Sequence, residues 1–138
     1  MFIDASVIVA ILGREAGSEE LEKRLAENKG PFFVSPLVMF EAAVALARQK
    51  SANRKPSAAL LRQAFDAVAA FAKDIEANEI AISPEIGRSA LDACAAYGKA
   101  VGHAADLNFG DCFAYACAKT LQVPLIYKGN DFAHTDLA

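Results

Sequence analysis

The chain has 138 residues, a net charge of −3 and 54% hydrophobic residues, which suits one domain with its own core and requires neither disulfides nor a structural metal for folding. A pI near 5.4 excludes a passive nucleic-acid coat protein, because bulk phosphate binding is driven by clustered Lys and Arg. The longest uncharged run, Gly30 to Phe40, is broken by Pro31 and Pro36 and falls well short of the roughly 18 apolar residues a membrane span needs.

Phe2-Ile3 begins a short apolar strand ending at Asp4, and Ser6 is placed to cap a helix through Val7, Ile8, Ile11 and Leu12, with Gly13 as its C-terminal glycine. Ser18 to Asn28 reads as a surface helix, with Leu21 and Leu25 inward and its charges outward. Phe32 to Val34 forms a second strand. Ser35-Pro36 then opens a helix, Ser as cap and Pro at its first position, that runs to about Lys50 and carries Glu41 on its second turn, beyond the reach of a cap. Arg48, Lys50, Arg54 and Lys55 cluster ahead of Pro56, as a solvated linker or as contacts for RNA phosphates. Ser57 opens a further helix whose Leu60, Leu61, Phe65, Val68 and Phe71 share one broad face, suited to core packing or an interface.

Glu79 to Ile82 is expected as a third strand, and Ser83-Pro84 repeats the cap-and-proline start for a helix through Ile86, Leu91 and Cys94 to Tyr97-Gly98, with Asp92 solvated. The loop from Lys99 to Asp106 holds His103, read as structural. Asn108 caps the last helix, which places Asp111 at its third position, where a carboxylate meets the favourable end of the helix dipole. That helix ends near Leu121. Leu125 to Tyr127 is a fourth strand, and Gly129-Asn130-Asp131 turns the chain beyond it. Short apolar strands alternating with helices predict an α/β class: a short, mostly parallel sheet of four or five strands flanked by helices on both faces, in a single domain spanning 1–138.

Four acids stand out against this background. From Met1 to Leu12 the only charged side chain is Asp4; from Leu37 to Ala47 it is Glu41; from Leu107 to Ala118 it is Asp111. Asp131 lies just past the apolar run that ends at Tyr127. An isolated carboxylate among apolar residues is costly to desolvate unless something pairs with it. Taken singly, each is explained by a satisfied core acid or a helix cap. Taken together they call for a common partner. In a parallel sheet ligands bind beyond the carboxyl ends of the strands, where Asp4 and Asp131 fall and where the helices of Glu41 and Asp111 begin. An oxygen-only, densely negative cluster suits Mg²⁺ or Mn²⁺, and bound metal would let it activate water and stabilise charge on phosphate.

Met1-Phe-Ile-Asp4-Ala-Ser6, Glu41 in the third helix, Leu107-Asn-Phe-Gly-Asp111-Cys-Phe-Ala-Tyr-Ala and Tyr127-Lys-Gly-Asn-Asp131-Phe closely resemble the PIN-domain ribonucleases, specifically the VapC-type toxins of toxin–antitoxin pairs, over the whole chain. The resemblance implies that Asp4, Glu41, Asp111 and Asp131 form the family's acidic quartet, holding Mg²⁺ or Mn²⁺ and directing a metal-activated water at an RNA phosphodiester. It implies that Ser6 hydrogen-bonds the first Asp and that Asn130 orients ligands or substrate, while the place of Asp106 stays open. It further implies a homodimer and neutralisation by a cognate antitoxin, for which the high apolar content leaves surface.

Competing readings are a Mg²⁺-dependent phosphatase of the haloacid-dehalogenase type, which wants a second acid where Ser6 stands, and a receiver-like regulatory domain, which wants neighbouring acids that Asp4 lacks. A PIN-like domain that binds RNA without cutting it is a third. A Ser-His-acid triad is unsupported, since neither His103 nor His134 lies in a nucleophile motif. Three cysteines, Cys94, Cys112 and Cys117, without a Cys-x-x-Cys pair indicate neither a disulfide framework nor a zinc site. With no basic start before the apolar N-terminus and no span, a reducing cytoplasm and no membrane association are expected.

Overall fold

The apolar runs ending at Asp4 and Val34 pair side by side, and the sheet grows outward from them. The computed structural model describes residues 1–52 and 54–137; positions 53 and 138 of the expected span lie outside the described residues. Strands β1 (Phe2–Ile3), β2 (Phe33–Val34), β3 (Asn78–Glu79) and β4 (Leu125–Ile126) form one sheet in the order β3-β2-β1-β4, parallel at every pairing. β1 is central and fully buried. The Phe2 N–H donates to the Pro124 carbonyl at 2.8 Å, the Asp4 N–H to that of Ile126 at 3.0 Å, and the Phe33 N–H to that of Met1 at 2.9 Å.

Six helices join the strands: α1 (Ala5–Leu12) and α2 (Ser18–Glu27) between β1 and β2, α3 (Pro36–Lys50) and α4 (Ala58–Asp74) between β2 and β3, α5 (Pro84–Tyr97) and α6 (Phe109–Leu121) between β3 and β4. Three start as the Ser signals dictate, the hydroxyls of Ser35, Ser57 and Ser83 accepting from the N–H groups of Val38, Leu60 and Ile86. α1 packs on α2 and α3, and α3 on α4, whereas α5 pairs with α6. The path steps from β1 to β3 in one direction and then returns to lay β4 on the far side of β1. Right-handed crossovers therefore set α1–α4 on one face and α5–α6 on the other. The strand order reverses between β1 and β4, the kind of switch point at which parallel sheets open a crevice for ligands.

Four expectations change. Ser6 is not the cap of α1: the helix starts at Ala5 and Asp4 caps it, its carboxylate accepting from the Ser6 N–H, a role for which Asp is as good as Ser. The third strand is Asn78–Glu79 rather than Glu79 to Ile82 and is exposed. It is an edge strand that keeps one further bond, Ile80 N–H to the Val34 carbonyl at 2.9 Å, before the chain turns toward Ser83. Phe65, expected inward, is 48% exposed, because α4 buries the stripe Ala64, Val68 and Ala72, whose small residues admit the backbone of a neighbouring helix. Leu91 is likewise exposed, about 100° around α5 from buried Ala90. Among the described residues no helix is long and apolar enough to cross a membrane.

Candidate active site

Asp4 leaves β1 in extended backbone, and its Oδ2 accepts from the Ser6 N–H at 2.9 Å and from the Ser6 hydroxyl at 2.5 Å. The Ser6 oxygen in turn accepts from the Lys128 N–H at 3.0 Å. One hydroxyl thus ties the segment after β4 to the carboxylate after β1, across the switch point. Asp111 sits in the first turn of α6 within a reciprocal capping box: its N–H donates to Asn108 Oδ1 at 3.0 Å, and its Oδ2 accepts from the Asn108 N–H at 2.9 Å. The cap fixes where this carboxylate stands.

Glu41 reaches in from the second turn of α3 and lies against Gly110. A Cβ at position 110 would come within 1.9 Å of its Oε1. Glycine near the start of a helix gives up backbone entropy, and here only its missing side chain leaves room for Glu41 beside Asp111. Asp131 stands exposed on the turn begun by Gly129, whose φ of 97° suits glycine alone.

The four acids and Ser6 line one cleft of about 580 Å³, which also takes in Glu15, Phe40, Val44, Arg48, Asn108 and Lys128. Burial pushes the Asp4 carboxyl above its ordinary range, with the Asp131 charge adding to the rise and the Ser6 hydrogen bonds opposing it. Glu41 is pushed up to about 7 by burial and by the charges of Asp4 and Asp111. Burial raises Asp111 to about 6 against the pull of the Asn108 N–H, with Asp4 and Asp131 contributing repulsion. The acids therefore sense one another across the cleft, and among the described residues none of the four forms an ion pair with an ammonium or guanidinium.

Among the described residues, no three His, Cys, Asp or Glu side chains stand close enough to form a ready-made metal group; the acids line the cleft at a distance, as uncompensated carboxylates do. Their chemistry fits a hard divalent cation all the same. The donors are oxygens only, with no His or Cys among the lining residues, and a cation would offset both the burial and the mutual repulsion that raise Glu41 and Asp111.

Of the basic cluster only Arg48 lines the cleft; Lys50, Arg54 and Lys55 are exposed and do not reach it. Asn130 is exposed outside the lining, its carbonyl accepting from the Ala133 N–H at 3.0 Å. Asp106 does not line the cleft. It forms a surface pair with Lys99 at 4.0 Å and adds only a weak repulsion to Asp111. His103 is structural, its Nδ1 accepting from the Ala105 N–H at 3.0 Å and its ring packed edge-on to Tyr97. Three polar lining residues went unread in the sequence: Glu15, Asn108 as more than a cap, and Lys128. Of these Lys128 carried a signal, since it stands between the strand residue Tyr127 and the turn that presents Asp131.

The PIN domain family model matches residues 1–137. The chain is 52% identical to a VapC ribonuclease of Rhizobium meliloti (strain 1021), over 99% of this chain and 98% of that protein. It is 37% identical to ribonuclease VapC28 of Mycobacterium tuberculosis, over 98% and 93%. Among solved structures the fold is similar to VapC20 of Mycobacterium tuberculosis, described as a sarcin-ricin loop cleaving toxin, with a TM-score of 0.70 at 16% identity, covering 96% of this chain and 92% of that one. It is also similar to a chain of a toxin–antitoxin complex from Klebsiella pneumoniae, with a TM-score of 0.63 at 18% identity over 99% and 92%. The dehalogenase-type and receiver-type readings find no support among these relatives. With its parallel four-stranded fold and with relatives this similar over nearly their whole length, the chain belongs to the PIN domain family, among the VapC ribonucleases.

Proposed function

We propose that this protein is a toxin of a toxin–antitoxin pair that cuts RNA phosphodiester bonds endonucleolytically, with Asp4, Glu41, Asp111 and Asp131 holding Mg²⁺ or Mn²⁺. The observation that carries this reading is the meeting of four carboxylates, from four separate stretches of chain, in one cleft at the switch point of the sheet. A divalent cation held there supplies a water of lowered pKa and offsets the charge that develops on a phosphodiester.

The protein's own part is positional. Ser6 holds the Asp4 carboxylate by two hydrogen bonds, and the Asn108 box holds that of Asp111. Gly110 lets Glu41 approach. The N-terminal end of α6 directs its partial positive charge into the same cleft, which favours anionic groups there. In this reading the Ser6 hydroxyl positions Asp4, and the attacking oxygen comes from water. Neutralisation by a cognate antitoxin, a homodimeric state and action in the cytoplasm belong to this proposal. The antitoxin is supported by relatives named VapC ribonucleases and by the fold shared with a chain of a toxin–antitoxin complex.

The test is cleavage of a mixed cellular RNA pool by purified protein with Mg²⁺, Mn²⁺ or EDTA. Discrete fragments should appear only with metal and vanish in Asp4→Asn and Asp111→Asn. Folded, antitoxin-free protein that leaves every RNA intact would overturn the reading.

A further inference from the structure

The cleft holds five carboxylates, Asp4, Glu15, Glu41, Asp111 and Asp131, against two cations, Arg48 and Lys128. Even with one divalent cation bound, the fully ionised cleft stays net negative, and a phosphodiester carries a further charge. Something must admit the phosphates on either side of the bond being cut. Among the described residues only Arg48 and Lys128 line the cleft with positive charge.

The two cations are held differently. Lys128 is half-buried, and its ammonium is paired with Glu15. The other Glu15 oxygen accepts from the Gln49 side-chain amide at 2.9 Å. Gln49 in turn fits where Gly13 has no side chain, since a Cβ at position 13 would lie 2.1 Å from its Oε1. Glu15 is thereby pinned between α1 and α3, and a Lys ammonium has three donors, of which the Glu15 carboxylate takes one or two. Arg48 neighbours Gln49 and is exposed, with no ion pair among the described residues. It lies seven residues beyond Glu41 on the same face of α3, about 10 Å along the helix, a reach of one to two nucleotides from the acids.

We infer, resting on the ribonuclease reading, that Lys128 and Arg48 form the seat for the RNA phosphates flanking the cleaved bond, and that Glu15 is a built-in competitor that occupies the Lys128 ammonium until a phosphate displaces it. Glu15 is thus a positioning residue, acting through Lys128. It neutralises the Lys128 half of the seat when RNA is absent, leaving Arg48 as the open cation, and so raises the affinity threshold for entry.

Binding of a short, random-sequence, single-stranded RNA carrying a fluorophore is followed by anisotropy against salt concentration, together with kcat and KM for cleavage of the cellular RNA pool. Lys128→Gln and Arg48→Gln should each weaken binding several-fold, lower the salt slope by about 0.7 and act on KM more than on kcat. Lys128→Arg should restore the slope. Glu15→Gln should tighten RNA binding several-fold, and this gain should vanish in the Glu15→Gln, Lys128→Gln double variant. Lys73→Gln, exposed on the last turn of α4 and outside the cleft lining, should change nothing. If Glu15→Gln weakens binding, or leaves it unchanged while lowering the melting temperature, the pair is a structural strut and the inference fails. If wild type cuts RNA but Lys128→Gln keeps the wild-type slope and KM, the seat fails while the ribonuclease reading survives. Wild type that neither binds nor cuts RNA sinks both.

Discussion

The inner wall and the outer lip of the cleft are built by opposite means. On the inner wall Asp4, Glu41 and Asp111 stand on the end of a central strand, the second turn of α3 and the first turn of α6, and two of the three are clamped by local hydrogen bonds. On the lip Asp131 rides an exposed turn after β4 that is anchored on either side by the Lys128 N–H and the buried Phe132, while its own carboxylate accepts no hydrogen bond among the described residues. The wall resists rearrangement because moving any of its acids means breaking a cap or a helix contact. The Asp131 carboxylate, exposed to solvent, is freer to adjust to a ligand than the clamped acids are. A site that must hold a cation firmly yet admit a long polymer is well served by that division, with geometry set where burial is deep and tolerance left where solvent reaches.

If the division is right, the largest losses come from the wall. Asp4→Asn and Asp111→Asn should each lower kcat/KM for RNA cleavage by roughly a thousandfold or more, measured on the cellular RNA pool, while circular dichroism stays unchanged. Asn still caps a helix. Next comes Gly110→Ala, which should cost about a hundredfold, because the new Cβ pushes the Glu41 carboxylate aside and a displacement of about 1 Å is worth that much in a preorganised site. Asp131→Asn and Ser6→Ala should be milder, on the order of tenfold to thirtyfold in apparent metal affinity, read from the Mn²⁺ dependence of the rate. A loss at Asp131 as deep as at Asp4 would erase the distinction between wall and lip.

The smallest effect is on stability. Glu41 sits at about 7 against an ordinary 4.5, and Asp111 at about 6 against 3.8. A carboxyl raised on folding binds more protons in the native state than in the unfolded one over that window, so stability is fullest below the ordinary value and is lost as pH rises through the raised one. Metal-free protein should therefore melt at falling temperature between about pH 4 and pH 7, from these groups, by about 1 kcal/mol after allowance for solvent screening. Asp4→Asn should flatten that slope and leave the metal-free protein as stable or more so. Added Mg²⁺ should reverse the trend, its stabilisation growing with pH as the acids ionise.

The wall was legible in sequence because each of its acids interrupts an otherwise uncharged run, and lone acids in apolar segments advertise a shared partner. Capping signals placed four helices to within a residue or so, since Ser-Pro and Asn-x-x-Asp act locally. What could not be read was set by tertiary packing. Ser6 looked like a cap because its type and position allow it; only the fold brings Lys128 to its hydroxyl and makes it a bridge instead. Phe65 and Leu91 matched a helical period, yet helix pairs that approach on alanine stripes leave larger neighbours outside. Glu15 and Lys128 meet across a sequence separation of 113, and no local pattern records such a partner. Arg48 and Lys50 look equivalent along the chain, but two residues on a helix face different ways, and only Arg48 lines the cleft.

Under the proposed function the acids of this cleft act as one cation site. The most direct measurement is a Mn²⁺ titration of metal-free protein followed by the loss of the free-ion electron paramagnetic resonance signal, for wild type, Asp4→Asn and Asp111→Asn, at mildly acidic and mildly alkaline pH. Wild type should bind saturably, more weakly as pH falls through the range where Glu41 and Asp111 take up protons, and both variants should lose that binding. Variants that bind Mn²⁺ as tightly as wild type, or folded wild type that binds none, would contradict that reading.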